Sequence, residues 1–231
     1  LEILSEEIDD NSTFWSLNIL KGESLFYDNT VDGFKITKGN ANGTSNHDRG
    51  AGMYLMNSMP VIRNCYFSKC NAAESGGAID TAGQEQGMLN IKNCFFEENA
   101  ARNGGAIFGS CVISNSVFQN NAAFFAGAIS GSRFFVENTV FLSNTAGFPT
   151  KQIGMSGAVG ITDNERKSTS RFTNCLFYNN PNTFTLQGRA YLRNCTFYSD
   201  LKNEGFDVWV SSNPDDQLTM VHSIFWRSNP W

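Results

Sequence analysis

Charge is scarce in this chain. Aspartate, glutamate, lysine and arginine make up 17% of 231 residues, against roughly a quarter in an ordinary soluble domain. Seventeen basic and twenty-two acidic side chains leave a formal charge of −5. No basic excess exists to hold a phosphate backbone, so nucleic acid is excluded as an expected partner. Uninterrupted apolar runs stop at four or five residues, whereas a membrane-crossing helix needs about 20. Membrane insertion by this segment is not expected. No charged leader with an apolar core opens the sequence, which therefore reads as processed or as beginning partway into a longer protein. Histidine is limited to two residues and Cys-x-x-Cys is missing, so a zinc site has no donor set. His47 falls in a turn-rich stretch and His222 in a repeat position, and neither builds a Ser-His-Asp arrangement. No cofactor is expected. An apolar i, i+3, i+4, i+7 stripe never lasts three turns, which argues against helices.

Phenylalanine and asparagine are what the chain has in excess, with 20 Phe and 27 Asn beside only five Pro. Such bias points to an internal repeat. Alignment on Asn-(Cys/Ser/Thr)-x-Phe gives six copies, pairing Asn64 with Phe67, Asn93 with Phe96, Asn115 with Phe118, Asn138 with Phe141, Asn174 with Phe177 and Asn194 with Phe197. A seventh has His222 in the Asn place and ends on Phe225. The Phe-to-Phe steps are 29, 22, 23, 36, 20 and 28 residues, a base period near 22 with insertions. Two residues before each Asn place stands an apolar side chain (Ile62, Ile91, Ile113, Val136, Phe172, Leu192, Met220), and the residue between is usually polar. That alternation is a strand with one buried face. A second block lies between these strands: Gly76-Gly77-Ala78-Ile79 and Gly104-Gly105-Ala106-Ile107, with variants from Gly50, Ala126 and Ser156. Tiny residues before one aliphatic suit a tight corner running into a buried strand.

A unit of about 22 residues cannot bury its own apolar face and must stack on the next. The arrangement that satisfies the pattern is all-β: a right-handed parallel β-helix, a solenoid of about eight coils with insertions. Equivalent residues then stand one above another at roughly 4.8 Å. The seven repeat Phe form an internal stack. Asn64, Asn93, Asn115, Asn138, Asn174 and Asn194 are expected to form an amide ladder that satisfies buried polar groups at a corner. The whole of residues 1–231 reads as one such domain, with 1–30 as a cap or partial coil and 147–170 as an insertion between coils. Ile224, Phe225, Trp226 and Trp231 look like an uncapped end.

Gly-Gly-Ala-Ile paired with Phe-x-x-Asn resembles the repeat of the chlamydial polymorphic outer-membrane proteins. Phe-x-x-Asn is present at Phe96–Asn99, Phe118–Asn121, Phe141–Asn144 and Phe177–Asn180, and is broken at Cys70, Asp200 and Ser228. The stretch from Val31 to Gly43 looks like the opening segment of large secreted β-helix proteins of Bacteroidetes, which carry the same repeats. The resemblance spans about residues 3–228. It implies the β-helix fold and an address outside the cell or on its surface; it leaves the activity open, because a widely reused fold does not fix one.

Cys65, Cys94, Cys175 and Cys195 share one repeat position with Ser116, Thr139 and Ser223, so the position wants a small side chain. Neighbouring coils put Cys65 near Cys94 and Cys175 near Cys195, either as buried free thiols or as a bridge whose geometry in-register stacking suits poorly.

Polysaccharide lyases and hydrolases also use β-helices, and their chemistry needs acids gathered on adjacent coils. The row after the repeat Phe reads Ser68, Glu97, Gln119, Leu142, Tyr178, Tyr198, Trp226, and the next reads Lys69, Glu98, Asn120, Ser143, Asn179, Ser199, Arg227. Neither stacks carboxylates, and nothing in the sequence asks for catalysis. Tyr178, Tyr198 and Trp226 are instead expected to form an outward aromatic column, a platform for sugar rings or a partner surface, or a face covered by a neighbouring segment. The charged insertion from Thr162 to Arg171, with Asp163, Glu165 and Arg166, is a second candidate for recognition, since loops on rigid scaffolds often carry it. Asn11, Asn42 and Asn194 head glycosylation-type triplets, as an Asn-rich chain produces by chance. The expected role is a secreted or cell-surface structural and adhesive module that contacts a glycan, matrix or another protein. A carbohydrate-active enzyme and a subunit of an extracellular assembly are the alternatives, and the oligomeric state is left open.

Overall fold

Each repeat unit folds as three or four short strands joined by sharp corners. The computed structural model describes residues 2–3, 20–23, 29–43, 47–81, 87–147, 156–200 and 208–227. One turn of the chain runs through Leu89–Lys92, Phe95–Glu97, Ala100–Ala101 and Ile107–Phe108. Successive turns pair these strands in parallel into four sheets. Sheet 1 has nine strands and holds Ile79–Asp80, Ile107–Phe108 and Ile129–Gly131; sheet 2 has eight and holds Leu89–Lys92 and Cys111–Ser114. Sheet 3 has eight, including Phe95–Glu97 and Val117–Gln119, and sheet 4 has five, including Ala100–Ala101 and Ala122–Ala123. The molecule is a right-handed parallel β-helix, the hand that parallel crossovers almost always take. The one antiparallel pairing among the described residues joins Glu2–Ile3 to Leu20–Glu23 at the end of sheet 1. Most of the 1–30 segment, residues 148–155 of the 147–170 insertion, the Asn11 triplet and Trp231 lie outside the described residues.

Register places like on like. Phe67, Phe96, Phe118, Phe141, Phe177, Phe197 and Phe225 are successive partners in sheet 3. Their rings stack with centroids 5.0, 4.7, 5.1, 4.9, 4.7 and 4.5 Å apart and planes within 11°. That spacing is the distance between hydrogen-bonded strands, so the ladder imposes the stacking. Ile62, Ile91, Ile113, Val136, Phe172 and Leu192 line the core from sheet 2, and Met53, Ile79, Ile107, Ile129, Val159 and Phe184 line it from sheet 1. In the Gly-Gly-Ala-Ile corners the two glycines have different tasks. Gly104 adopts φ +61°, and a Cβ on Gly105 would stand 2.1 Å from the carbonyl oxygen of Gly127 in the next turn. The first needs left-handed backbone and the second needs the space.

The two asparagine rows divide the work differently from the expectation. Asn64, Asn93, Asn115, Asn138, Asn174 and Asn194 all have φ between 50° and 54° and are exposed. They sit where the chain turns from sheet 2 into sheet 3 through a left-handed residue, and Asn is among the few non-glycine residues that accept that conformation. Side-chain amides do link along this row, as from Asn93 Nδ2 to Asn64 Oδ1 at 3.2 Å and from Asn194 Nδ2 to Asn174 Oδ1 at 3.2 Å, but on the solvent side. The buried polar groups are satisfied by Asn99, Asn121, Asn144 and Asn180 of Phe-x-x-Asn. Each of the first three donates from Nδ2 to the next Oδ1, at 3.0, 2.9 and 3.0 Å. The same oxygens accept the backbone N–H of the preceding rung, and each Nδ2 also reaches a Phe carbonyl on the preceding turn.

If the outer row is selected for backbone conformation, Asn115→Gly should leave stability within about 0.5 kcal/mol of the parent, while Asn115→Val should cost roughly 1–2 kcal/mol. Urea denaturation of the two variants separates this from an amide-ladder role, which would make both costly, since both lose the amide.

Candidate functional site

The Tyr178, Tyr198 and Trp226 column exists in register on the outer face of sheet 3, but its ring geometry limits what it can bind. Tyr178 and Tyr198 are half-buried and stack on each other at 4.9 Å and 14°. Each covers a face of its neighbour. Edges and hydroxyls point outward, and the Tyr178 hydroxyl donates to Asp200 Oδ2 at 3.4 Å. Sugar rings dock on free aromatic faces, which a ladder of rings one strand apart does not offer along its length. Trp226, 60% exposed at the last described rung beside exposed Ile224 and Phe225, is the ring with open surface. A second outer row on this sheet, with half-buried Tyr66, Phe95, Val117, Val140 and Leu176, adds to the apolar character of the face.

The 163–168 loop is committed to its own structure. Asp163 is buried, and its Oδ2 accepts the backbone N–H and the hydroxyl of Ser168, both at 3.0 Å. Arg166 Nε donates to Asp216 Oδ1 at 2.8 Å, tying this corner to that of the last described turns. Asp216 also accepts from Ser211. Burial alone would raise the Asp216 pKa, but the hydrogen bonds from Ser211 and Arg166 outweigh it and hold the carboxyl below its usual range. Glu165 pairs with Lys167 at 2.7 Å on the surface. Asp163 and Arg166 close and anchor the loop; the three candidate side chains do not converge on a common point.

A groove lies elsewhere, across the outer face of sheet 1. The row pointing outward there reads Tyr54, Asp80, Phe108, Ser130, Gly160, Thr185, Trp209 in register. Side-chain bulk falls away at Ser130 and Gly160 and returns on both sides, leaving a trough of about 590 Å³. Phe108 stands at one end and Phe125 on one wall. Phe125 is 43% exposed and is held edge-to-face by Phe124 at 5.2 Å. Hydroxyls and amides supply the polar lining, from Thr81, Asn103, Ser110, Ser132, Thr162 and Gln187. No charged side chain is among the described lining residues. Asp80, the next rung past Phe108, is buried and accepts a hydrogen bond from Ser75.

The floor carries an unusual group. Ser156 replaces the first glycine of its corner block and is 1% exposed, yet its Oγ has no hydrogen-bond partner among the described residues. Such a hydroxyl costs about 1–3 kcal/mol when left unpaired, and natural proteins rarely keep one without a use for it. A Cβ placed on Gly160 would stand 3.5 Å from Ser156 Oγ and 3.6 Å from Ser130 Oγ. The nearest atom to such a Cβ is the Ala126 methyl at 2.9 Å, so Gly160 is required there by close packing, and the two hydroxyls flank that tight point. Repeat alignment missed this row, although it is legible as the residue following each aliphatic of the Gly-Gly-Ala-Ile blocks.

All six cysteines are free and buried. The shared position of Cys65, Cys94, Cys175 and Cys195 requires more than small size: each thiol donates to the carbonyl two residues earlier, as Cys94 does to Lys92 at 3.2 Å. Ser116 and Thr139 make the same bond with a hydroxyl, both at 2.9 Å. Cys, Ser and Thr are interchangeable there because all three are short and donate. Burial pushes the Cys70 thiol up to about 11 and raises that of Cys111 as well. Hydrogen bonds with Cys94 and Cys175 instead lower the Cys65 and Cys195 thiols, but burial seals all six from reagent, so the folded protein should release almost no colour with Ellman's reagent over an hour at pH 8, and six equivalents in denaturant. Rapid reaction of any thiol in the native state would contradict the packing described. No family model, curated protein or solved structure matches the chain.

Proposed function

We propose that this chain is a non-catalytic β-helix module of a secreted or cell-surface protein, a rigid structural and adhesive element that contacts a glycan, matrix or a partner protein through its outer faces. The observation that carries the reading is the groove on sheet 1, a concavity with aromatic walls and a hydroxyl-rich lining on a scaffold whose interior is locked by ring and amide stacks. Concave, mostly apolar surfaces with a few placed polar groups are where ligands bind. Export is supported by the likeness of the Gly-Gly-Ala-Ile and Phe-x-x-Asn blocks to the repeats of chlamydial polymorphic outer-membrane proteins and of secreted Bacteroidetes β-helix proteins.

The test is retention of beads coated with the chain on surfaces bearing mucin, collagen or polysaccharide, run beside a turnover assay on a polysaccharide panel. Retention above bare beads without release of unsaturated or reducing ends is the expected result. Catalytic release of such ends would overturn the non-catalytic reading in favour of a carbohydrate-active enzyme, and no retention on any surface would overturn the adhesive one.

A further inference from the structure

We infer that the trough over Gly160 is a binding site for an uncharged saccharide, with the Ser156 and Ser130 hydroxyls meeting sugar hydroxyls at its floor and Phe125 and Phe108 flanking the ring. The inference deepens the surface-contact reading and rests on it.

Three features select this ligand class. The first is neutrality. With no charged side chain among the described lining residues, a carboxylate, sulfate or ammonium entering the trough would lose water and gain no counter-charge from them. The second is the kind of polar group present. Hydroxyls both donate and accept, and side-chain amides do the same through separate atoms, so the lining matches a ligand whose own groups are hydroxyls in either role. Phe125 offers an exposed apolar surface beside them, as the C–H face of a sugar requires. The third is Ser156, whose buried Oγ points to the floor with no partner among the described residues. A ligand hydroxyl would supply the missing bond once the close Ala126–Gly160 contact beside it opens slightly.

A peptide fits less well. Extended peptides bind sheets by pairing with a free edge, and the trough lies on a face whose strands are already paired on both sides, as Ile129–Gly131 is between Ile107–Phe108 and Val159–Thr162. An amphipathic helix needs an apolar floor, and this floor is Ser130, Gly160 and Ser156.

The experiment is an array of neutral oligosaccharides printed beside uronate-containing and sulfated ones, followed by calorimetric titration of the best neutral binder. Four variants accompany the parent: Ser130→Phe, which fills the floor; Phe125→Ala, which removes an exposed wall; Ser156→Ala, which deletes the unpaired hydroxyl; and Tyr178→Ala on sheet 3 as a control. We expect selective retention of neutral glycans, lost tenfold or more in Ser130→Phe and Phe125→Ala. Ser156→Ala should weaken binding several-fold while melting at the same temperature as the parent or higher. Phe125→Ala keeps the test valid if Ser130→Phe does not fold. Binding confined to charged glycans, or no binding to any neutral one, overturns the inference. So does a folded Phe125→Ala variant that binds like the parent, or an equal loss in Tyr178→Ala. In those cases bead retention still decides separately whether the module is adhesive at all.

Discussion

Asn121→Ala should destabilise the protein by about 3–5 kcal/mol, from two buried polar groups each left unsatisfied at roughly 1–3 kcal/mol. The wild-type amide oxygen accepts both the backbone N–H and the side-chain Nδ2 of Asn99, at 3.0 Å each. Its nitrogen donates to the Phe96 carbonyl at 3.0 Å and to Asn144 Oδ1 at 2.9 Å. Asn144 Oδ1 still holds the Asn121 backbone N–H after truncation, and Asn99 Nδ2 still holds the Phe67 carbonyl. The Asn99 N–H and the Phe96 carbonyl lose these partners inside the stack, where water does not reach. Small domains have only about 5–15 kcal/mol in total. Because coils contact only their neighbours, the variant should unfold in two steps rather than one. Asn121→Asp provides a sharper check. It keeps the shape and removes the donors, and burial raises the folded-state pKa of the new carboxyl. The folded state then binds the proton more tightly, so the benefit of protonation is complete below about pH 4, where the unfolded carboxylate titrates. It is lost as pH rises through the raised folded value. Urea titrations at pH 3.5 and pH 7 should show the Asn121→Asp deficit shrinking at the acid end; a pH-independent deficit would mean that the carboxyl keeps its unfolded-state pKa and that the row is open to water.

The same residues show how far the sequence could be read and where reading stopped. Period, strand alternation and the inward Phe row were legible because each depends on identity repeating at fixed spacing, and parallel stacking turns that repetition directly into contact. The division between the two Asn rows was not legible from letters alone. Asn115 and Asn121 both recur with the period, but one stands at φ 50° on the surface and the other is buried with its side chain in the ladder. Backbone conformation separates them, and the clue was company rather than identity. The positions equivalent to Asn121 allow Cys70 at one end of the row, where a thiol still donates to the carbonyl of Ser68. The outer row accepts His222, also at φ 50°.

The groove escaped for the opposite reason. Its row changes at every coil, from Asp80 through Phe108, Ser130 and Gly160 to Thr185, so an alignment that seeks sameness passes over it. On a solenoid the repeated positions build the scaffold, and the positions that refuse to repeat build whatever is particular to one face. Asp163, Glu165 and Arg166 drew notice as a charged insertion, yet Asp163 and Arg166 are used to close and tether their loop. Length and charge mark an excursion from the coil; only the partners of each group say whether it is available.

Position along the stack should also govern the cost of removing a ring. Phe118 is fully buried, with Phe96 at 4.7 Å on one side and Phe141 at 5.1 Å on the other. Phe118→Ala should cost about 3–5 kcal/mol for lost burial and the cavity left behind, with roughly 0.5–1.5 kcal/mol of stacking at stake for each neighbouring ring. The neighbours cannot collapse into the gap, because the strand ladder fixes their separation. Phe118→Leu should recover more than half of the loss, since it refills volume but not the ring contacts. Phe225 makes the contrast: it is 45% exposed and stacks on Phe197 at 4.5 Å, with no further described rung beyond it. Phe225→Ala should cost only about 1 kcal/mol, the worth of one stacked pair with partial burial. Guanidinium melts of the three variants decide the matter through the ratio of the two alanine effects. A ratio near one would mean that the ring column acts as a uniform reservoir of apolar area. A ratio of three or more would show that the fold is held rung by rung, and that stability is greatest where a ring is covered on both faces.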